Sequence, residues 1–176
     1  MKIILNSKEL NSVIETLANE LVQSHTDLSN TAFIGIQQGG VVVADKIVEL
    51  IQQKYPSTKI LYGQVDITFY RDDIRKKILA PDNMNIPFSI ENKEVVLIDD
   101  VLFTGRTIKA ALDVLLDYGR PAKVELCVLV DRKEHRQFPI QPDFTGQVMK
   151  TDESAKVKLV TNEKGERQVV LVTASS

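Results

Sequence analysis

Residues 95–107 read Val95-Val96-Leu97-Ile98-Asp99-Asp100-Val101-Leu102-Phe103-Thr104-Gly105-Arg106-Thr107. The run of four apolar residues predicts a strand that is buried on both faces, as in a parallel sheet. We expect the two aspartates to end this strand and the Thr-Gly-Arg-Thr turn to lead into a helix. Because open α/β sheets bind ligands at the carboxyl ends of their strands, this stretch predicts a ligand site at that edge.

The residue types in this stretch suit a ligand that carries both hydroxyl groups and a phosphate. Carboxylates accept hydrogen bonds from hydroxyls, and the free N–H groups at the positive end of a helix bind phosphate. A P-loop ATPase would pair such a strand with a Gly-Lys loop, but the sequence contains no Gly-Lys dipeptide. A response regulator would carry its acidic pocket earlier in the domain. Both alternatives are therefore disfavoured.

The rest of the chain alternates strand and helix patterns. Strands are predicted at 31–36, 60–69 and 124–130, and a hairpin at 157–160 and 169–172. Helices are predicted after Ser7, which we expect to be the cap, after Gly40, and from Ile108 with Leu116 on its inner face. This order predicts an α/β fold with a doubly wound, mostly parallel sheet flanked by helices, a small hood and a flexible loop at 71–87. We expect a single domain over residues 1–176.

Composition excludes several function classes. The net charge of −2 is not that of a general nucleic-acid binder, and one cysteine, Cys127, excludes a disulfide framework. With only His25 and His135 as histidines, no structural zinc site is expected. The sequence shows neither a signal peptide nor an apolar run long enough to span a membrane. These features predict a cytoplasmic protein.

The stretch at 95–107 resembles the phosphoribosyl pyrophosphate (PRPP) signature of type I phosphoribosyltransferases. Three further stretches, 66–73, 117–121 and 129–140, are similar to one subfamily, the bifunctional pyrimidine-operon attenuators and uracil phosphoribosyltransferases. The resemblance covers about residues 31–151. It implies a pentosyltransferase of pyrimidine salvage that converts uracil and PRPP to UMP and pyrophosphate, with Mg²⁺ as cofactor, and a homodimer or higher homo-oligomer.

The resemblance also implies a role for each matching residue. The 5′-phosphate would lie on Val101, Leu102, Phe103, Thr104, Gly105, Arg106 and Thr107. Catalytic residues would be Asp99, Asp100 and Arg71, the last on a lid over the leaving group. Pyrophosphate would be bound by Gln37, Gln38, Gly39, Gly40 and Lys76. The base would lie on Val130, Asp131 and Arg132, with 135–140 as a hood. No protein group is expected to bind the metal directly, since Mg²⁺ would bridge PRPP oxygens and reach Asp99 or Asp100 through water.

Two departures from the subfamily pattern bear on function. The pyrophosphate loop usually reads Lys-Thr-Arg-Gly, whereas this chain has Gln37-Gln38-Gly39-Gly40, without a cation. No Lys or Arg occurs between Lys8 and Lys46, in a region that is basic in the RNA-binding relatives. We therefore predict an enzyme without strong RNA binding. Two alternatives remain open: a regulatory RNA- or nucleotide-binding protein with little catalysis, and a purine phosphoribosyltransferase.

Overall fold

The computed structural model describes residues 1–68 and 84–173. In these ranges the elements are β1 (Lys2–Leu5), α1 (Ser7–Ser24), β2 (Thr31–Ile36), α2 (Gly39–Lys54), β3 (Leu61–Val65), β4 (Met84–Asn85), β5 (Glu94–Leu102), α3 (Arg106–Leu116), β6 (Lys123–Arg132), β7 (Phe144–Met149), β8 (Lys156–Thr161) and β9 (Arg167–Val172). Within the described residues, no helix combines the length and apolar character that crossing a membrane requires.

The larger sheet has six strands in the order β4-β3-β2-β5-β6-β7. All neighbours pair in parallel except β4, which is antiparallel to β3. The predicted α/β fold with a mostly parallel sheet is confirmed. β5 lies between β2 and β6, with Leu97 opposite Ile34 on one side and Leu126 on the other.

Side chains that alternate along β5 serve two cores, one on each face of the sheet. Val96 and Ile98 join the core formed with the inner faces of α1 and α2. Val95 and Leu97 join the core beneath α3, which includes Ile108. The helices therefore cover both faces of the sheet, which is the doubly wound arrangement.

The hairpin of β8 and β9 forms a second sheet with β1, in the order β1-β9-β8 and antiparallel throughout. The predicted hairpin is confirmed, and its position is in this separate small sheet rather than at the edge of the large one. Val169 of β9 is fully buried in the core that α1 and α2 share. The small sheet is thereby attached to the large one through apolar contacts.

Several local predictions were wrong. β5 does not end at the aspartates, because pairing with β6 continues to Leu102, opposite Asp131. β6 likewise extends through Arg132. Asn6 caps α1 instead of Ser7, since its side chain accepts from the N–H of Glu9.

Two further predictions differ from the structure. β3 ends at Val65, short of the predicted strand at 60–69, although Ile67 is still buried. Leu116, predicted on the inner face of α3, is exposed, because it is the last residue of the helix and lies beyond the buried Leu115.

Candidate active site

The two carboxylates stand where β5 extends past one of its neighbours. Pairing between β2 and β5 ends at Gly35 and Ile98, while β5 continues beside β6. Asp99 and Asp100 therefore have a neighbouring strand on one side only. This step in the sheet leaves a gap beside both aspartates, above the carboxyl end of β2.

Each carboxylate accepts a hydrogen bond from the next backbone N–H. Asp99 Oδ1 accepts from the N–H of Asp100 at 2.9 Å, and Asp100 Oδ1 accepts from that of Val101 at 2.8 Å. Asp99 is buried and Asp100 is partly exposed. Burial, followed by the charge of Asp100, raises the pKa of Asp99 well above its usual value. The pair thus combines a buried carboxyl that binds its proton more strongly than usual with a more accessible carboxylate.

The amino end of α2 fills the gap beside β5. A Cβ atom on Gly39 would stand 1.9 Å from Oδ2 of Asp100, and one on Gly40 would stand 2.4 Å from the carbonyl oxygen of Ile98. Only glycine allows the helix to approach this closely. The predicted phosphate loop and the acidic pair are therefore in direct contact. The peptide bond between Gln37 and Gln38 is cis.

A cleft of about 390 Å³ opens between this contact and the small sheet. Its floor is formed by Gln38, Gly39 and Asp100. The facing wall comes from β8 and β9, including Arg167. Cleft-lining residues of the hairpin were missed by the sequence prediction, because no local pattern reveals that a separate sheet folds over the carboxyl edge of the larger one.

The turn after β5 leads directly into the amino end of α3, a position where backbone N–H groups can bind an anion. Gly105 has φ of +91° and directly precedes α3, and Thr104 Oγ1 accepts from the N–H of Arg106 at 3.3 Å. Arg106 and Thr107, the first two residues of α3, are exposed, and the first N–H groups of a helix have no partner within the helix. Leu102, in contrast, is buried in the core under α3. Of residues 101–107, Leu102 and Gly105 are buried, and Arg106 and Thr107 are the most exposed.

The segment after β6 packs on this turn. Arg136 Nη1 donates to the carbonyl of Phe103 at 2.5 Å, and its Nη2 donates to Asp131 Oδ1 at 2.7 Å. The N–H of Gln137 donates to the carbonyl of Thr104 at 2.8 Å. Arg136 therefore links the end of β6 to the turn after β5. It lies in the segment 135–140 that was predicted as a hood over the base, but no individual role was predicted for it.

The predicted base-binding side chains are occupied by structural contacts. Asp131 is paired with Arg136, and Val130 is fully buried. Arg132 donates to Thr151 Oγ1, to the carbonyls of Asp152 and Ala155, and lies 3.7 Å above the ring of Phe103. A base at this strand end would thus meet backbone groups rather than these charges.

The structure brings together most of the predicted site. The pair Asp99 and Asp100 adjoins both Gly39 and the turn after β5. Gln37 lies toward β3, where its N–H donates to the carbonyl of Val65 at 2.8 Å. Arg71 and Lys76, and the lid that they belong to, lie outside the described residues. In ranges 1–68 and 84–173, no group of three or more His, Cys, Asp and Glu side chains could hold a metal ion.

Comparison with known proteins identifies the family to which this chain belongs. The phosphoribosyl transferase domain matches residues 1–161. A bifunctional protein PyrR of Desulfosudis oleivorans is 44% identical over 173 residues, covering 97% of this chain and 95% of that protein. A bifunctional protein PyrR of Picosynechococcus is 43% identical, covering 95% of this chain and 94% of that protein.

Solved structures with the same fold include hypoxanthine phosphoribosyltransferases. That of Trypanosoma cruzi has a TM-score of 0.71 at 16% identity and covers 98% of this chain and 97% of its own. That of Staphylococcus aureus has a TM-score of 0.67 at 21% identity and covers 88% of this chain and 80% of its own. At these identities the likeness establishes the fold alone.

Proposed function

Because the chain belongs to the phosphoribosyl transferase family, and to the bifunctional PyrR proteins within it, we propose that it transfers the phosphoribosyl group of PRPP to uracil, giving UMP and pyrophosphate. The observation that carries this proposal is the contact between Asp100 and Gly39, beside the turn at Thr104. The contact brings a carboxylate and a helix start to one cleft, and the turn that follows β5 comes a few residues after the carboxylate. A sugar with phosphate at both ends would need such a carboxylate between two groups of N–H donors.

In this proposal the turn after β5 binds the 5′-phosphate. The exposed N–H groups at the start of α3 and the hydroxyls of Thr104 and Thr107 would donate to its oxygens. The N-terminal end of α2, at Gln38 and Gly39, would bind the pyrophosphate at the opposite side of Asp100. The ribose would then lie over the acidic pair, since the two phosphate sites flank it.

The acidic pair would act on the sugar. Asp100 is accessible from the cleft and would accept hydrogen bonds from ribose hydroxyls. Its charge would also favour the positive charge that develops on the sugar as pyrophosphate departs. Asp99 is buried and holds its proton more strongly, so its expected role is to orient Asp100. Arg71 and Lys76 are proposed to close over the leaving group, as the family resemblance implies.

Magnesium fits this site as a substrate-bound ion. Hard oxygen donors suit Mg²⁺, and the site offers Asp99 and Asp100 but no larger acidic cluster among the described residues. Of the two, Asp100 is accessible from the cleft and would hold a PRPP-bound ion through water. Bound there, the ion would neutralise charge on the departing pyrophosphate.

Uracil is proposed as the base, rather than a purine, because of the residues at the end of β6 and directly after it. Residues 129–140 resemble the uracil-specific subfamily, and the charged side chains of Asp131 and Arg132 are engaged in structural contacts. A base at this strand end would be read by backbone donors and acceptors, which match the two carbonyls and the N3–H group of uracil, while N1 attacks the sugar and loses its proton as pyrophosphate departs.

A regulatory function is the second candidate, because the relatives are named bifunctional proteins. We propose that RNA binding by this chain is weak. The exposed side of α1 carries Glu9, Glu15 and Glu20 against one cation, Lys8. Phosphate contacts dominate RNA affinity, so this helix would repel RNA. Filter binding at several salt concentrations tests this: tight, saturable binding at physiological salt would contradict the proposal.

Product formation tests the enzymatic proposal. The protein would be incubated with PRPP and Mg²⁺ and, in parallel, with uracil, hypoxanthine, guanine, xanthine or orotate. We expect UMP with uracil and no nucleotide with the other bases. Asp100→Asn is expected to lose at least a hundredfold in turnover, since one electrostatic contact to a transition state contributes about 10²–10³. Product with a purine alone, or no product with any base, would overturn the proposal.

The proposal extends to the whole chain. We propose that residues 1–176 form one domain, because the small sheet shares its apolar core with α1 and α2. Self-association as a dimer is proposed from the family resemblance. The single cysteine is buried, which fits the reducing conditions of the cytoplasm, where we propose that the protein acts.

A further inference from the structure

The hairpin of β8 and β9 presents cations to the cleft opposite an uncharged helix start. The floor at Gln38 and Gly39 carries no positive side chain, and Asp100 beside it is an acid. The wall contributes Arg167 and Lys158. A diphosphate leaving group needs positive charge on the protein side, so the two walls of the cleft differ in their ability to bind it.

Strand register singles out Arg167. It pairs with Thr161, at the turn end of the hairpin, and both residues line the cleft. Because side chains alternate along a strand, Arg167 shares a face with Val169, which is buried against the core. Leu159, which pairs with Val169, packs against the same core, so this face of the hairpin lies against the core that α1 and α2 share. Lys158 also lines the cleft, but it pairs with Val170 and so belongs to the other face of the hairpin by the same alternation.

The Arg167 side chain is available for a ligand. It is exposed, and within the described part of the chain its guanidinium has no ion-pair partner. A guanidinium presents parallel N–H donors that match two phosphate oxygens at once. Arg167 and Asp100 line the same cleft, so an anionic ligand there would gain from the guanidinium, whose charge opposes that of the carboxylate.

We propose that Arg167 binds the pyrophosphate group of PRPP and so supplies, from the hairpin, the positive charge that the loop at Gln37-Gln38-Gly39-Gly40 lacks. The inference rests on the proposed phosphoribosyl transfer and names a binding residue for it. The positive charge would thus come from Arg167, on the wall of the cleft that faces Gln38 and Gly39. The helix start then contributes only backbone donors, while the hairpin contributes the cation.

Direct binding of inorganic pyrophosphate tests this without requiring turnover. Titration calorimetry with Mg²⁺ would compare the wild type with Arg167→Gln and with Arg167→Lys. Lys164→Gln is the matched control, since Lys164 lies exposed in the turn of the same hairpin and does not line the cleft. Ribose 5-phosphate binding, which depends on the turn after β5, reports whether the rest of the site is intact.

We expect Arg167→Gln to weaken pyrophosphate binding about ten- to a hundredfold, the usual range for a charged hydrogen bond. Arg167→Lys should lose less, and Lys164→Gln should change nothing. Ribose 5-phosphate should bind all four proteins equally. A new cation on the opposite wall, Gln38→Lys in the Arg167→Gln background, should restore part of the lost affinity.

Two results would overturn the inference. One is unchanged pyrophosphate affinity in Arg167→Gln. The other is an equal loss for ribose 5-phosphate, which would indicate a structural role for the arginine. Failure of the proposed function is a separate result. A wild type that binds pyrophosphate but forms no nucleotide from any base would refute phosphoribosyl transfer. The comparison of pyrophosphate affinity between the wild type and the Arg167 variants would still test the role of Arg167.

Discussion

Gly39 and Asp100 are in contact so close that a single Cβ atom on the glycine would stand 1.9 Å from the carboxylate oxygen. The amino end of α2 and the acidic end of β5 therefore fix one another. Since Asp100 is proposed to bind the ribose and Gly39 the pyrophosphate, this contact sets the distance between the sugar and the leaving group.

Alanine substitutions at Gly39 and Gly40 should have different effects, the first on turnover and the second on stability. Gly39→Ala would displace only the Asp100 side chain, so we expect kcat to fall about a hundredfold with little change in the free energy of unfolding. Gly40→Ala would collide with the carbonyl oxygen of Ile98 at 2.4 Å, which is backbone and cannot move away cheaply. We expect it to destabilise the fold by about 2 kcal/mol or more. Turnover assays and urea unfolding measure the two effects, and equal loss of stability in both variants would contradict this reading.

Asp99 should make stability depend on pH. Its pKa is raised in the folded state by burial and by the charge of Asp100, so the folded chain holds a proton that the unfolded chain has lost. The free energy of unfolding should therefore fall as pH rises from the unfolded pKa of about 3.9 toward the raised value. Urea unfolding across this range should show a smaller fall for Asp99→Asn.

Asp100→Asn serves as the control for this titration. Removing the neighbouring charge takes away the second cause of the shift, so the fall in stability should shrink but not disappear. If wild type and Asp99→Asn lose stability in parallel as pH rises, the buried carboxyl is not the group responsible.

The Arg136 bridge should support both the fold and PRPP binding. Its side chain and that of Asp131 are 10% and 6% exposed, so Arg136→Met would leave a buried carboxylate unpaired. We expect a loss of about 3 kcal/mol in unfolding free energy and a higher KM for PRPP, because the carbonyl of Phe103 loses its donor.

A double variant tests the same bridge. Asp131→Asn combined with Arg136→Met should be less destabilised than the sum of the single changes, since no charge is left unpaired. Lys133→Met, at an exposed neighbouring position, is the control for loss of a cation. Additive effects in the double variant would show that the bridge contributes little.

Cys127 should be inert in the folded protein. Burial within β6 raises the pKa of its thiol to about 12, so almost no thiolate is present at pH 8. We expect reaction with a disulfide reagent such as dithionitrobenzoate to follow the unfolding rate, and to be complete within seconds in denaturant. Rapid stoichiometric labelling of the native protein would contradict the assigned burial.

Local patterns predicted the central elements well. The apolar run at 31–36 corresponds to β2 residue for residue, and the run at 95–98 to the buried part of β5. These strands are recognisable because a strand covered on both faces must be apolar throughout. The turn at Thr104–Gly105 was also predicted from local sequence. Glycine permits the positive φ that is found at Gly105, directly before α3.

Features that depend on neighbours were not predictable. β5 continues past Asp99 because β6 is long enough to pair with it, and nothing in the aspartates themselves indicates this. The cleft wall at Arg167 requires the hairpin to pair with β1, from the opposite part of the sequence. The proposed roles of Arg71 and Lys76 remain predictions, because both lie outside the described residues.

The pairing of β1 with β9 also bears on synthesis of the chain. β1 precedes every strand of the large sheet and β9 follows them all, so the small sheet cannot form until β9 has emerged from the ribosome. A nascent chain that ends after β7 already contains both phosphate turns and the acidic pair, but not the wall with Arg167. Full affinity for the pyrophosphate group should therefore be reached only when translation has passed the hairpin.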